Sequence, residues 1–181
     1  MTLLTRRFGS LAHAYDLIGY RPKTDLHYFE VNRKLRLRYP EIVARTQQTI
    51  AELGGDLWRD PATDLLYLNS ELVISLVLAR CRIMPSGVKR WRVRFDPAKF
   101  AADITLAIRL DPTNEAEFDY FLLPRLHFQF GRIHLREQNI PEYECFRFTT
   151  LDFFYDLARR INVRAGPHAR HSMNSDASIA A

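Results

Sequence analysis

The eight residues from position 72 are Leu72-Val73-Ile74-Ser75-Leu76-Val77-Leu78-Ala79, an apolar run without charge. Such a run is typical of a strand buried on both faces. A second run, Trp91-Arg92-Val93-Arg94-Phe95, follows the turn signal Pro85-Ser86-Gly87 and alternates large apolar with basic residues. This alternation predicts a strand with one face in the core and one positively charged face. These two runs make the middle of the chain a sheet.

Outward from these runs, the sequence predicts further strands and then helices. Further strands are expected at 64–69, 104–110 and 118–123, with an acidic loop from Asp111 to Glu115 before the last. Helices are expected at 8–19, 25–38, 40–53 and 151–161. Ser10 would cap the first helix, Ile18 would face inward and Gly19 would end it. The inward-facing residues of the next two helices would include Leu37, Ile42, Val43, Thr46, Ile50 and Leu53. Pro40 suits a first helical turn because its missing N–H has no partner there. This order predicts an α+β fold: N-terminal helices, a central mixed or mostly antiparallel sheet of four to five strands, and a C-terminal packing helix.

Positive charge is concentrated in two segments of a chain whose net charge is +5. Residues 1–40 contain eight Lys and Arg against three acids, and residues 80–99 contain seven against one. Concentrated basic patches are typical of proteins that bind a phosphate backbone, so double-stranded DNA is the expected partner. The alternative is an arginine-rich surface that is simply solvated.

Several other function classes are disfavoured. Cys81 and Cys145 lie far apart without metal-ligand spacing, so free thiols are expected. The scattered histidines also form no ligand spacing, and no Gly-rich loop suggests a nucleotide site. No run approaches the roughly 20 apolar residues that span a bilayer, and the N-terminal charge order is the reverse of a secretory signal. We expect a cytoplasmic protein without a membrane partner.

Two parts of the chain resemble known protein families. Arg7 to Tyr15, followed by Ile18 to Pro22, resembles a short helical module that recurs beside homing-endonuclease domains and in recombinases of bacterial mobile elements. That resemblance implies DNA contact. Over roughly residues 5–160, a larger set of segments resembles a region attached to site-specific serine recombinases: Arg59 to Leu66, Leu78 to Arg82, Arg90-Trp91, Asp103 to Thr105 and Asp119 to Pro124. Their catalytic serine domain has no counterpart here, which implies an accessory part.

The predicted sheet also resembles the PD-(D/E)XK nuclease fold. That fold holds a divalent metal with an aspartate before one strand and a Glu-X-Lys on the next. Asp64 matches the first position, but Leu78-Ala79-Arg80 stands where the tripeptide belongs. Mg²⁺ requires oxygen ligands, and Leu78 offers none. The resemblance therefore implies a degenerate copy with a DNA-facing surface, and Asp64, Glu71 and Arg80 are only weak catalytic candidates.

An acidic group surrounds the first strands and contains Glu52, Asp56, Asp60, Asp64 and Glu71. Nucleases use clustered carboxylates to hold metals. Turn chemistry at Asp-Pro and Asp-Leu is the interpretation that we favour. We assign no metal site and no cofactor, and Mg²⁺ is implied only by the nuclease alternative.

The residues expected to contact DNA form two groups. One surrounds the start of the first helix, where the N-terminus itself favours phosphate: Arg6, Arg7, Ser10, Arg21 and Lys23. The other lies on consecutive strands and their turn: Arg80, Arg82, Lys89, Arg90, Arg92 and Arg94. Trp91 or Tyr67 would stack on bases if exposed.

Together these observations predict a helical DNA-contacting module at 1–24, an α/β core domain at 25–163 and a disordered tail at 164–181. Three functions stay open. The first is a non-catalytic DNA-binding accessory domain linked to a mobile-element recombinase. The second is a metal-dependent endonuclease. The third is a protein-interaction module whose phenylalanine-rich C-terminal half docks a partner or a second copy.

Overall fold

The computed structural model of this protein describes residues 7–9, 11–20, 27–95, 102–128 and 131–160. The chain divides into two compact units, Met1–Glu41 and Ile42–Ala181, and each is described by itself. The domain limits expected at residues 24 and 163 stay predictions. The expected tail at 164–181 lies outside the described residues.

The first unit contains helix α1, Leu11–Leu17, and the beginning of a longer helix. The chain leaves α1 through Gly19, whose φ of 66° is the left-handed conformation expected there, and the Tyr20 N–H donates to the Tyr15 carbonyl at 2.9 Å. The predicted helix and its glycine end are therefore confirmed. The proposed cap, Ser10, lies outside the described residues, and Ile18, expected on the inner side, is 73% exposed.

Helix α2 runs without interruption from His27 to Glu52 and contains Pro40. The expectation of two helices meeting at this proline is wrong. Proline removes one hydrogen bond, but its fixed φ of about −65° is itself helical. Tertiary burial holds the helix beyond it, where four of the expected inner residues are buried, Ile42, Val43, Thr46 and Ile50, while Leu53 is half-buried. Leu37, expected to face inward, is 66% exposed.

The described part of the second unit contains nine strands and two further helices. The strands are β1 Leu57–Arg59, β2 Leu66–Leu68, β3 Leu72–Ala79, β4 Cys81–Ile83, β5 Lys89–Arg94, β6 Ile104–Leu110, β7 Glu117–Pro124, β8 Arg132–Arg136 and β9 Arg147–Phe148. The helices are α3 Pro141–Glu144 and α4 Asp152–Arg160. Among the described helices, none combines the length and apolar character needed to cross a bilayer.

The strands form two sheets, so the α+β class is confirmed while the single sheet of four to five strands is wrong. Six strands lie in the order β1-β2-β3-β6-β7-β9, and three lie in the order β4-β5-β8. Only the β3–β6 pair is parallel among the described pairs. Of the strands that were not predicted, β1 and β9 have three and two residues, too short for an independent periodic signal, and β8 has five.

The chain changes sheets at Arg80, between the end of β3 and the start of β4. Asn114, with a φ of 62°, clamps this point: its Oδ1 accepts from the Cys81 N–H at 2.6 Å, and its Nδ2 donates to the Cys81 carbonyl at 3.2 Å. Buried residues of both sheets pack together there: Ala79, Cys81, Trp91, Val93, Ala107, Phe121, Leu123, Phe128 and Leu135. The three-stranded sheet thus presents one face to this shared core.

Helix α4 closes the other part of the six-stranded sheet, as expected for a C-terminal packing helix. Phe154 and Ala158 on its inner side are buried. Asn69, buried after β2, accepts from the Asp56 N–H at 2.7 Å and donates to the Ala158 carbonyl at 2.8 Å. One side chain therefore ties the β2–β3 turn to both the β1 entry and α4.

Candidate nucleic-acid interface

The outer face of the three-stranded sheet contains six arginines and one histidine. Because side chains alternate along a strand, the residues between the buried ones share the opposite face. Cross-strand register places them in three rows: Arg82, Arg90 and Arg136; then Arg92 and His134; then Arg94 and Arg132. We call these seven residues the arginine face.

The arginine face is open to solvent, and its charges have no counter-ions among the residues that the structure describes. Six of the seven residues are exposed, and Arg90, in the central strand, is half-buried. No guanidinium of this face forms an ion pair or hydrogen bond with the part of the chain that the structure describes. The Arg90 Nε is buried without a partner there. Like charges directly opposite each other destabilise a sheet. A bound anion would relieve the repulsion between these arginines.

The dimensions of the face suit a polyanion. Adjacent strands lie about 4.8 Å apart, and four residues of β5 span about 13 Å, so the rows cover an area of roughly 10 by 13 Å. Double-stranded DNA carries about one negative charge per 1.7 Å of helix axis, which offers several phosphates to such an area. Arginine also matches phosphate geometry with paired N–H donors.

Two residues of the expected second group differ from this arrangement. Lys89 shares the register face of Trp91 and pairs with Glu137, with an Nζ to Oε1 distance of 2.7 Å. The hydrogen bond from Lys89 to this carboxylate raises the pKa of the lysine. Arg80 is half-buried at the sheet change. Arg82, Arg90, Arg92 and Arg94 are the residues that the structure brings together.

The two aromatic rings expected to stack on bases, those of Trp91 and Tyr67, are at least partly buried. Trp91 is 1% exposed, and its Nε1 donates to the Leu110 carbonyl at 2.6 Å. It is therefore a core residue and does not stack on bases. Tyr67 is half-buried, and its ring lies 5.3 Å from the ring of Trp58 on the neighbouring strand.

A fully buried arginine, Arg109, contacts the three-stranded sheet on the side opposite the arginine face. Arg109 on β6 donates through Nε to Asp119 Oδ1 at 2.5 Å and through Nη2 to Asp119 Oδ2. Its Nη1 donates to the carbonyl of Arg136, and its guanidinium lies 4.3 Å from the centre of the Trp91 ring. One side chain therefore connects the six-stranded sheet to both β5 and β8.

Arg147 extends this network to the loop after β8. Its Nε donates to Asp119 Oδ2 at 2.7 Å, and its Nη1 donates to the Glu137 carbonyl at 3.2 Å. Burial opposes the charge of Arg147, but the charges and hydrogen bonds of Asp119 and Glu144 together outweigh this effect and raise its pKa. Burial likewise opposes the charge of Glu144, but hydrogen bonds from Asn139 and Arg147 lower its pKa. Two cations, Arg109 and Arg147, and two anions, Asp119 and Glu144, thus neutralise one another on the inner side of the three-stranded sheet.

The first expected DNA-contacting group cannot be placed as a set. Arg6, Ser10, Arg21 and Lys23 lie outside the described residues. Arg7 is exposed, and its guanidinium lies 5.8 Å from the centre of the Phe8 ring. The role of this group stays a prediction.

The weak catalytic candidates lie apart in the fold. Asp64, just before β2, accepts from the Arg59 Nε at 2.7 Å, whereas Glu71 lies beyond the other end of β2. Arg80 follows β3 and lies nine residues after Glu71, so about 30 Å of extended strand separates the two. Among the described His, Cys, Asp and Glu residues, no three form a group that could hold a metal ion.

Asp60, a member of the acidic group, stabilises a turn through its side chain. Asp60 accepts from the Ala62 N–H at 3.0 Å and from the Thr63 hydroxyl at 2.5 Å. Such bonds stabilise a turn before the next strand.

Sequence reasoning missed three of the seven residues of the arginine face. Arg132, His134 and Arg136 come from β8, where Arg132-Ile133-His134-Leu135-Arg136 alternates in the same way as β5. That alternation was the available signal. The signal for the buried network was a lone charge, Arg109, inside the apolar run of β6.

Comparisons with known proteins give one distant similarity in fold. No family model matches the chain, and no curated protein matches it. The solved structure of a bacterial homing endonuclease, I-Ssp6803I, aligns with a TM-score of 0.40 and 12% identity, over 65% of this chain and 87% of that one. A similarity of this size says nothing about binding or catalysis.

Proposed function

We propose that this protein binds double-stranded DNA through the arginine face, chiefly by phosphate contacts and without cutting the strand. The observation that carries this proposal is the set of six guanidinium groups on one sheet face that have no partner in the described residues. Arg6, Arg7, Ser10, Arg21 and Lys23 would add a second contact region. The role that we propose for the protein is an accessory one beside a mobile-element recombinase, in line with the resemblance of residues 5–160.

The electrostatics of the face favour phosphate over a protein partner. Ordinary surface arginines are interspersed with acids, whereas these rows set arginine directly opposite arginine. Such an arrangement is unfavourable in the free protein and becomes favourable when phosphates lie between the rows. Six phosphate contacts would give a slope of about −5 for log affinity against log salt.

The first test is a titration of a labelled random-sequence duplex at 50 and 200 mM salt. We expect affinity to fall by about three orders of magnitude over this range if six contacts form. The double variant Arg92→Ala/Arg132→Ala should weaken binding about equally for all sequences and make the salt slope shallower by about 2.

The matched control is Arg159→Ala, which removes an exposed arginine of α4 outside the face. It should bind like the unmodified protein. Absence of binding at low salt, or unchanged binding by the double variant, would contradict the proposal and favour the protein-interaction alternative. The same reactions with Mg²⁺ or Mn²⁺ test the endonuclease alternative, since cleavage that disappears in Asp64→Ala would replace the non-catalytic proposal.

A further inference from the structure

The arginine face ends in an apolar pair at the tip of the β4–β5 hairpin. The Met84 N–H donates to the Val88 carbonyl at 2.9 Å, which continues the register of Arg82 with Arg90 and Ile83 with Lys89. Alternation therefore places Met84 and Val88 on the same face as Arg82 and Arg90. Val88 is 43% exposed and Met84 is half-buried.

The hairpin tip is held in shape by its own backbone. The Gly87 N–H donates to the Met84 carbonyl at 2.8 Å. Gly87 has a φ of 80°, a backbone conformation that residues other than glycine rarely adopt. The core contacts of this hairpin are made on its other face, through Cys81 and Trp91. Packing against the core therefore does not explain why apolar residues stand at positions 84 and 88, on the opposite face of the hairpin.

The juxtaposition of an apolar row with a row of arginines fits the major groove of DNA. The groove is about 12 Å wide and admits a two-stranded β-ribbon, while its walls are lined with phosphates. Thymine presents a 5-methyl group there, an apolar feature that apolar side chains contact. The minor groove is about 6 Å wide and shows no methyl group.

Building on the DNA binding proposed above, we propose that Met84 and Val88 enter the major groove and contact thymine 5-methyl groups. The row of Arg82, Arg90 and Arg136, two residues further along the ribbon at about 6.6 Å, then meets the phosphates at the groove edge. The protein consequently prefers sites that carry thymine where the tip enters.

The test compares duplexes of one sequence that contain either thymine or uracil. Uracil lacks only the methyl group, so charge and base pairing stay the same. The unmodified protein should bind the thymine duplex roughly fourfold more tightly for each methyl group buried. The double variant Met84→Ser/Val88→Ser should bind both duplexes alike.

Ile83→Ser is the matched control. Ile83 is 57% exposed at the same tip, but its register places it on the opposite face, beside Lys89. This variant should keep the preference for thymine. If Ile83→Ser also lost the preference for thymine, the loss in the double variant would come from disturbed folding of the hairpin, and the inference would be overturned.

A measurement on the unmodified protein avoids any effect of substitution on folding. Restoring a methyl group at the same groove position, with 5-methylcytosine in a G·C duplex, should strengthen binding by a similar factor. Salt-sensitive, arginine-dependent binding without discrimination in either pair of duplexes would overturn this inference and leave the proposed function standing. No binding to any duplex would overturn both.

Discussion

At the scale of the residue, Arg109 is the most unusual feature of the chain. Removing a guanidinium from water costs several kcal/mol, and apolar replacements of such buried pairs are often neutral or stabilising. Stability alone therefore does not explain why this strand contains an arginine. Its contacts with Asp119, with the Arg136 carbonyl and with the Trp91 ring hold the edge strand β8 in place. We infer that the buried ion pair positions the arginine face.

The ion pair gives a prediction at this scale. Asp119→Asn should lower the free energy of unfolding by about 3–5 kcal/mol, because Arg109 and Arg147 lose their shared anion. Urea unfolding at pH 7 measures the change. Asp156→Asn is the matched control, since its pair with Arg159 is more than half exposed at both ends, and its effect should stay below about 1 kcal/mol. Similar effects for both variants would contradict the prediction.

At the scale of the element, the three-stranded sheet combines a well-packed inner face with a self-repelling outer face. Trp91, Val93 and Leu135 are buried on one side. On the other side Arg90 stands between Arg82 and Arg136. Inner packing stabilises the sheet enough to tolerate repulsion that a purely structural sheet would avoid. This conflict between stability and charge is typical of functional surfaces.

The conflict predicts opposite effects of one substitution on stability and binding. Arg90→Thr removes the central charge and the unsatisfied Nε, and threonine favours strands. The free energy of unfolding should rise by about 0.2–1 kcal/mol for each repulsive pair removed, while DNA affinity falls.

Urea unfolding and duplex titration, both at low salt, measure the two effects. The gain in stability should shrink at high salt, because ions screen exposed charges. Lys89→Thr, at the adjacent position on the other face, should give no gain since it breaks the pair with Glu137. A loss of stability in Arg90→Thr would show that the arginine is a packing residue.

At the scale of the whole molecule, loop carboxylates couple stability to pH. The Thr113 hydroxyl and backbone N–H groups of the loop after β6 hold the pKa of Asp111 below its ordinary value of 3.8. Hydrogen bonds from Asn139 and Arg147 likewise lower the pKa of Glu144 from 4.5, against the effect of burial. A carboxyl group with a lowered folded-state pKa stabilises the fold above its unfolded pKa. That stabilisation is lost as the pH falls through the folded-state pKa.

The protein should therefore keep nearly constant stability from pH 7 to pH 5 and lose stability below about pH 4.5. Urea unfolding at pH 7, 5 and 3 measures this profile. Glu144→Gln should be less stable than the unmodified protein at pH 7 and should show a smaller loss between pH 5 and 3. An identical acid profile in Glu144→Gln would assign the loss to other carboxylates.

Local pattern determined much of this protein. The predicted strands 72–79 and 104–110 match β3 and β6, because a short, mostly apolar run that is rich in strand-forming residues is typical of a buried strand. The alternation of Trp91 to Phe95 correctly placed tryptophan inside and Arg92 and Arg94 outside. The left-handed Gly19 and the turn at Gly87 were also readable from sequence, since both depend on glycine's own conformational freedom.

Which charges come together depends on the long-range pairing of strands. Arg132, His134 and Arg136 join Arg90, Arg92 and Arg94 because β8 pairs with β5 across a long stretch of chain. The continuous helix through Pro40 and the burial of Arg109 likewise depend on packing against distant residues. Such pairings are set by the shared core and by chain closure, and a short strand carries no local mark of its partner. Composition and local pattern are enough to predict a basic α+β protein, whereas the pairing of distant strands assembles its arginines into one face.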